Sequence, residues 1–170
     1  MKDLIIKKLQ ERGVELESIT AVVYKLQEPY SDNLTIDECH EAEEHVLEKR
    51  EVQYTLLTGI TLDELAEDDA LDEPLAEIIK ADEPLYGVDE SLAFAIASIY
   101  GTIGFTSFGY LDKKKMGIMK ELDTNKDKVN TFMDDLVAGI ASAASAKIAH
   151  QKRTELNLKK ELDKKAASGK

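Results

Sequence analysis

Apolar residues recur every three or four positions along most of the chain, which is the spacing of one face of an α-helix. Prolines and glycines divide this pattern into segments, because both residues interrupt or end helices. The segments predict helices over about residues 2–12, 15–27, 35–57, 74–80, 91–111, 113–122 and 132–150, with a further short helix beginning at residue 61. Residues 152–165 continue a helical pattern, and we expect residues 166–170 to be disordered.

Two of the predicted helix starts carry a capping pattern. Thr35 with Glu38, and Thr61 with Glu64, both match Thr-x-x-Glu, in which two side chains satisfy free backbone N–H groups at a helix start. Gly59 stands between the two patterns, and we expect it to end the third helix.

The stretch from Ser91 to Leu111 contains no charged residue over 21 positions, a length that can span a membrane. It also contains several hydroxyl side chains, and its leucines and isoleucines are few. We therefore interpret it as a helix that is apolar all round because other helices enclose it. Three glycines, Gly101, Gly104 and Gly109, are expected to break or kink its second half.

Composition narrows the fold to the all-α class. Helix-favouring Leu, Ala, Glu and Lys dominate, whereas the chain has only three prolines and nine glycines. A length of 170 residues is typical of one domain, and 43% hydrophobic residues suffice for a core. We expect a single-domain multi-helix bundle over residues 1–150 with a buried uncharged central helix. A charged C-terminal helix and a disordered tail are expected over residues 151–170.

The formal net charge of −12 argues against nucleic acid as a partner, because such binding needs a basic surface. Residues 63–90 hold twelve acidic residues and one lysine, whereas residues 147–170 hold eight basic and three acidic residues. The first residues do not resemble a secretory signal, so we expect a cytoplasmic protein. Its basic C-terminal tail can make peripheral contact with an anionic membrane. The single cysteine, Cys39, is expected to be a buried thiol.

Two acidic pairs stand at the starts of the two most apolar predicted helices: Asp134 with Asp135, and Asp89 with Glu90. Small residues follow the first pair on one helix face and allow another helix to approach closely; they are Ala138, Gly139, Ser142, Ala143 and Ala146. If the two helix starts meet, four carboxylates converge, and such a cluster binds Mg²⁺ through its oxygens. Because like charges without a cation are costly, Asp134→Asn is expected to stabilise the metal-free protein.

Other polar residues offer further chemistry. Asp112 and Lys115 follow the uncharged stretch, and a lysine between two acidic pairs can hold a phosphate group. On the third predicted helix, spacings of three, four and seven residues align one further set, Glu41, Glu44, His45 and Glu48. This set is either a solvated acidic face or a second wall of a metal or substrate site. On the same helix, Glu43 and Glu44 resemble the acidic helix of all-α nucleotide pyrophosphatases. The sequence contains no phosphate-binding P-loop, nucleophile elbow or zinc spacing.

Three ordered motifs resemble the phosphatidylglycerophosphatase A family. They are Val-Asp-Glu at residues 88–90, a Phe-x-x-x-Asp-x-x-Lys segment within residues 108–118, and Asp-Asp-x-x-Ala-Gly within residues 132–139. Residues 49–53 and 57–60 are similar to the soluble Gram-positive branch of that family. The resemblance covers residues 85–150 best.

The resemblance implies an Mg²⁺-dependent hydrolase that removes phosphate from a lipid phosphomonoester, phosphatidylglycerophosphate, in phospholipid biosynthesis. By motif, the site role falls on Asp89, Glu90, Asp112, Lys115, Asp134 and Asp135. The chain departs from the family motif at Gly109, where members carry an arginine, and at Met116, where they carry a proline.

Three hypotheses follow. The leading one is an Mg²⁺-dependent phosphatase, with Asp89, Glu90, Asp134 and Asp135 as metal ligands and Asp112, Lys115 and Asp134 as catalytic residues. The second is a nucleotide pyrophosphatase that uses Glu41, Glu44 and Glu48. The third is a non-catalytic metal-binding or regulatory protein that kept the fold. The substrate, whether lipid or soluble, and the oligomeric state, including a homo-oligomer, stay open.

Overall fold

Helices account for most of the chain, as the apolar spacing predicts. The computed structural model describes residues 1–168, and no β-strand occurs in that range, which confirms the all-α class. The α-helices are α1 Lys2–Glu11, α2 Leu16–Gln27, α3 Ile36–Leu47, α4 Arg50–Glu67, α5 Leu75–Lys80, α6 Val88–Ala97, α7 Thr102–Lys114, α8 Ile118–Thr124 and α9 Met133–Ser168. Short 3-10 turns follow α2 at Glu28–Tyr30 and α6 at Ser98–Tyr100.

The first half of α9 is the centre of the fold. Nearly every side chain from Met133 to Ile148 is buried, and this half packs against helices on all sides, including α2, α3, α6, α7 and α8. Small residues allow this packing. A Cβ atom at Gly139 would lie 3.0 Å from the carbonyl oxygen of Ala93 in α6. The predicted small-residue face is therefore a close helix–helix contact, as expected.

The uncharged stretch forms two antiparallel helices instead of one. α6 and α7 meet at Gly101, whose φ of 83° favours glycine. Gly104 allows a tight return, since a Cβ atom there would lie 1.8 Å from the carbonyl oxygen of Ala97. The predicted break is confirmed at Gly101. The hairpin packs on α9 but leaves Phe94 and Phe105 each 40% exposed, so it is less enclosed than the sequence predicts.

The helix predicted over residues 35–57 is two helices in the structure. α3 ends at Leu47 and α4 begins at Arg50. The side-chain amide of Gln53 donates to the carbonyl oxygen of Leu47 at 2.8 Å and so satisfies one free acceptor at the end of α3. The capping box of Thr35 and Glu38 is present as predicted.

The predicted helix end at Gly59 and the predicted helix start at Thr61 are both wrong. Gly59 lies inside α4, where a Cβ atom would lie 2.6 Å from the Leu136 side chain, so this glycine serves close packing of α4 on α9. Thr61 and Glu64 also lie within α4 and start no helix. Glu64 instead accepts a hydrogen bond from Lys8 at 2.8 Å.

The end of the chain continues α9 as an exposed helix. α9 runs without a break through residue 150 to Ser168. The predicted disorder from residue 166 is therefore wrong for residues 166–168, and residues 169–170 lie outside the described range. Cys39 is fully buried, as predicted. In the described part of the chain, the helices are too short or too polar to cross a lipid bilayer.

Candidate functional site

The close contact between α6 and α9 brings acidic residues of their first turns together. Asp89 and Glu90 lie in the first turn of α6, and Asp135 lies in the first turn of α9. One carboxylate oxygen from each of the three lies within 4.8 Å of the others. The predicted convergence of the two helix starts is thus present for these three carboxylates, which we call the carboxylate cluster.

In the carboxylate cluster Asp89 and Asp135 are buried, Glu90 is half-buried, and each residue has one oxygen without a hydrogen bond. Asp89 is 6% exposed and Asp135 is 4% exposed. Asp89 Oδ1, Glu90 Oε2 and Asp135 Oδ1 are inaccessible to solvent and have no hydrogen-bond partner among the described residues. Buried carboxylates normally have a partner, because an unpaired charge in a protein interior is strongly unfavourable. Carboxylate oxygens of three residues within 4.8 Å of one another, at a place where three buried oxygens lack a hydrogen bond, fit a hard divalent cation such as Mg²⁺.

The pKa values of Asp135 and Asp89 reflect the crowding of carboxylates in the cluster. Burial, and next the negative charge of Asp134, raise the pKa of Asp135 to about 8. Burial, and next the hydrogen bond and charge of Glu90, raise the pKa of Asp89 to about 7. Without a cation, the carboxylate cluster therefore retains protons near neutral pH, and a bound cation would compete with them.

Asp134 has a different environment from Asp135. Its Oδ2 atom accepts a hydrogen bond from Lys115 Nζ at 2.5 Å, and its Oδ1 atom accepts one from the backbone N–H of Asp135 at 2.9 Å. Burial raises the pKa of Asp134 to about 6, although the charge of Lys115 opposes the shift. The structure thus places Asp134 beside the carboxylate cluster as the partner of a lysine.

Lys115 links the predicted catalytic residues. It ends α7 with a left-handed φ of 44°, which turns the chain and directs its side chain to the start of α9. Its Nζ atom lies 3.1 Å from Asp112 Oδ1 and 3.7 Å from Asp135 Oδ1. Burial alone would lower the pKa of Lys115, but the charge of Asp134 and the other carboxylates raise it. The ammonium group is therefore a fixed positive charge next to the carboxylate cluster.

Sequence reasoning missed Asp63, which is fully buried in α4. Its two carboxylate oxygens accept the backbone N–H groups of Phe132 at 3.1 Å and Met133 at 3.0 Å, so it caps the start of α9 from another helix. Asp63 lies four residues after Gly59, on the face that packs against α9. That spacing was an available signal, but the apparent capping box obscured it.

A polar cavity of about 630 Å³ opens beside Asp134. The loop between α8 and α9 forms much of its wall, with side chains that include Asn125, Lys126 and Thr131. Asp82, also missed by sequence reasoning, lines the cavity, and its charge contributes to the raised pKa of Asp134. Of the three residues predicted to carry catalysis, Asp134 lines the cavity, whereas Asp112 and Lys115 are not among its lining residues.

The acidic set on α3 that was predicted as a second wall of the site lies away from the carboxylate cluster. Glu44 and Glu48 pair with Lys2 at 3.2 Å and 3.5 Å, and His45 Nδ1 contacts the backbone oxygen of Glu41 at 2.7 Å. Glu41 lies in a small pocket with Lys147 of α9. Lys147 is twelve residues beyond Asp135, about 18 Å along the helix at the rise of an α-helix. The structure does not bring this set to the carboxylate cluster.

The fold and the carboxylate cluster together define an all-α protein with a potential divalent-cation site between two buried helix starts. The chain belongs to the phosphatidylglycerophosphatase A family, whose model matches residues 5–150. It is 48% identical to YpjQ, an uncharacterized protein of Bacillus subtilis (strain 168), over 97% of this chain and 93% of that protein.

Solved structures share the fold over most of their length. A protein of unknown function from Bacillus stearothermophilus is 53% identical, with a TM-score of 0.86 over 89% of this chain and 94% of that one. The low temperature requirement C protein of Listeria monocytogenes is 48% identical, with a TM-score of 0.87 over 89% of this chain and 96% of that one.

Proposed function

We propose that this protein is an Mg²⁺-dependent phosphatase that hydrolyses a lipid phosphomonoester of the phosphatidylglycerophosphate type. Family membership supports the reaction class. The observation that carries the proposal is the group of carboxylates from Asp89, Glu90 and Asp135, each with one buried oxygen that accepts no hydrogen bond, next to the ammonium group of Lys115. Carboxylates that hold a cation beside a fixed positive charge form a site for a dianionic phosphate group.

Under this proposal, Asp89, Glu90 and Asp135 hold Mg²⁺, which when bound polarises phosphoryl oxygens and lowers the pKa of water. Lys115 binds a phosphate oxygen and neutralises its charge, which requires that Lys115 exchange part of its contact with Asp134 for the substrate. Asp112 keeps the Lys115 side chain in position through its 3.1 Å contact.

Asp134 is the proposed proton carrier. A carboxyl group with a pKa of about 6 is partly protonated near neutral pH, so it can both accept a proton and donate one. Its place on the wall of the cavity brings it within reach of a group bound there. We assign Asp134 to proton transfer to or from the substrate.

The adjacent cavity is suited to the polar part of the substrate. Its volume of about 630 Å³ is within the range of small-molecule sites, roughly 300–1,000 Å³. Its described lining is dominated by charged and amide side chains, among them Lys126, Asp127 and Asn130. Such a lining favours a glycerol phosphate headgroup over acyl chains, which would stay in a bilayer while the headgroup enters.

The test is phosphate release from phosphatidylglycerophosphate in detergent micelles and from soluble phosphomonoesters, with Mg²⁺ and with a chelator. We expect turnover of the lipid that needs Mg²⁺. Lys115→Met and Asp135→Asn should each lower kcat about 100-fold, the usual cost of losing one electrostatic contact to a reacting group. Glu44→Gln is the matched control, because Glu44 lies on the separate α3 face and should leave turnover unchanged.

Two results would contradict the proposal. Pyrophosphate release from nucleoside triphosphates that is lost in Glu44→Gln but kept in Asp135→Asn would favour the pyrophosphatase hypothesis. Absence of turnover on every phosphomonoester, in a protein whose melting temperature still rises with Mg²⁺, would favour a non-catalytic metal-binding protein.

A further inference from the structure

A second groove, of about 750 Å³, lies between α7, the 3-10 turn Glu28–Tyr30 and the second half of α9. Apolar and aromatic side chains line it, and several are unusually exposed: Tyr30 by 82%, Leu156 by 58% and Tyr110 by 49%. Ile103 on α7 is also partly exposed in this groove. Exposed apolar side chains gathered in one place commonly mark a surface that binds a partner or a membrane.

Basic residues surround this groove, in contrast to the acidic protein as a whole. Lys25, Lys152 and Arg153 line it. Lys152 forms an ion pair with Glu38 at 2.8 Å. Lys25 and Arg153 have no ion-pair partner within residues 1–168. The groove therefore combines positive charge with apolar surface on a chain of net charge −12.

One face of α7 connects this groove to the candidate site. Groove residues on α7 occur at positions 103, 106, 107 and 110, which is the spacing of one helix face. Positions 113 and 114 continue that face, and both are exposed lysines without an ion-pair partner in the described chain. We call this face, together with the groove, the α7 surface. Its end lies beside Asp112 and Lys115, the last residues of α7 and its C-cap.

We propose that the α7 surface is where the protein docks on an anionic lipid bilayer. Positive side chains around an apolar groove complement anionic headgroups and the acyl region beneath them, as in other proteins that lie on membranes. The chain as a whole has a net charge of −12, so its acidic faces would be repelled. With α7 lying on the bilayer, its C-terminal end brings Asp112 and Lys115 to the headgroups, where a lipid phosphomonoester is found.

This inference rests on the proposed lipid substrate, and it differs from docking through the tail, here residues 157–168, because Lys152, Arg153 and Leu156 line the groove itself. The tail also carries lysines, but Glu161 and Asp163 alternate with them. Each basic residue close to an anionic surface strengthens binding about fivefold at low salt. Reversal of two charges on the α7 surface should therefore weaken binding more than tenfold, whereas the same change on the tail should have little effect.

The experiment is co-sedimentation of the full-length protein with phosphatidylcholine vesicles, with and without phosphatidylglycerol, at low and high salt. Three variants carry the same charge change: Lys25→Glu with Arg153→Glu on the α7 surface, Lys159→Glu with Lys164→Glu on the tail, and Lys49→Glu with Lys120→Glu as a remote control. Ile103→Asn tests the apolar part. Circular dichroism confirms that each variant is folded, and light scattering measures its oligomeric state.

We expect the wild-type protein to bind only vesicles that contain phosphatidylglycerol, and less at high salt. The α7-surface reversal should weaken binding more than tenfold, Ile103→Asn several-fold, and the other two reversals less than twofold. No binding by the wild type, or equal losses in the tail or control variants, would overturn the proposal. So would a wild-type dimer that the α7-surface reversal converts to monomers, because the groove would then be a contact between two copies.

The docking proposal and the proposed function fail in different ways. Vesicle binding needs no turnover, so a protein that docks but releases no phosphate contradicts the proposed function alone. A protein that hydrolyses phosphatidylglycerophosphate in detergent micelles but does not bind vesicles contradicts docking alone.

Discussion

Neutralising Asp135 is the sharpest test of the carboxylate cluster. Asp135 is 4% exposed, one of its oxygens has no hydrogen-bond partner, and its pKa is raised to about 8 from the usual 3.8. Asp135→Asn keeps the shape of the side chain and removes the charge. In the metal-free protein, the substitution should therefore raise the melting temperature.

The magnitude follows from the pKa. A shift of about four units at about 1.4 kcal/mol per unit sets an upper limit of about 6 kcal/mol for the destabilisation caused by the ionised carboxyl group. The buried amide of Asn needs hydrogen bonds of its own, and leaving them unmade costs about 1–3 kcal/mol. The net gain should therefore be at most about 3–5 kcal/mol, which corresponds to an increase of at most roughly 6–20 °C in melting temperature for a domain of this size.

The assay is thermal unfolding of chelator-treated protein followed by circular dichroism, without divalent cations and with saturating Mg²⁺. The wild type should gain about 3 kcal/mol at an Mg²⁺ concentration 100 times its dissociation constant. Asp135→Asn should lose most of that gain. Asp68→Asn, at an exposed position, is the control and should change neither value. A lower metal-free melting temperature in Asp135→Asn, with an unchanged Mg²⁺ response, would show that Asp135 is not a cation ligand.

The same experiment on Asp134→Asn should give a different result. The sequence alone suggested that this substitution stabilises the metal-free protein. In the structure, Asp134 is the closest partner of Lys115, and loss of one member of this partly buried ion pair leaves the lysine with only the longer contacts to Asp112 and Asp135. We therefore expect a lower melting temperature for Asp134→Asn, in contrast to Asp135→Asn.

Three further predictions follow. The folded protein keeps protons on Asp135 and Asp89 that the unfolded chain releases above about pH 4. The free energy of unfolding without divalent cations should therefore fall as pH rises from about 4 to 8, by up to about 1.4 kcal/mol per pH unit for each group. Urea unfolding measures this free energy, and a value that rises throughout that pH range would contradict the prediction. Asp63→Ala leaves two buried N–H groups at the start of α9 without an acceptor, so it should destabilise the protein by about 2–4 kcal/mol. Asp63→Asn keeps one acceptor oxygen and should destabilise the protein less. Equal melting temperatures for Asp63→Ala and the wild type would count against the helix cap. Gly139→Val pushes α6 away from α9, so it should lower the free energy of unfolding by about 1–3 kcal/mol. It should also abolish the rise in melting temperature on addition of Mg²⁺. Retention of that rise would show that the carboxylate cluster does not need the close contact between the two helices.

Local patterns in the sequence predicted most helices because apolar spacing and small residues act over a few turns. The break at Gly101 and the small-residue face around Gly139 were recognisable for this reason. The α3–α4 boundary was not, because the Gln53 side chain that supports it is an ordinary polar residue until the chain folds back on Leu47. Gly59 was misread because close helix contacts and helix ends both select glycine.

The candidate site shows the same division between local and long-range information. Acidic pairs at two helix starts predicted which carboxylates meet, since the small residues below them required close packing. Only the structure separates Asp134 from Asp135, because their roles depend on the Lys115 side chain, which arrives from α7. The cap from Asp63 depends on α4 and was equally invisible without the fold.

The start of α9 must be anchored strongly because the carboxylate cluster tends to separate α6 from α9. Four other segments hold it. Asp63 caps the first turn, Arg12 donates to Asn130 Oδ1 at 3.1 Å, Asn130 donates to the carbonyl oxygen of Leu122 at 3.0 Å, and Thr131 donates to that of Ile79 at 2.6 Å. These buried contacts converge just before Asp134 and Asp135 and need no cation. The fold therefore fixes the α9 side of the carboxylate cluster in the metal-free protein, so a cation would meet Asp135 already in place.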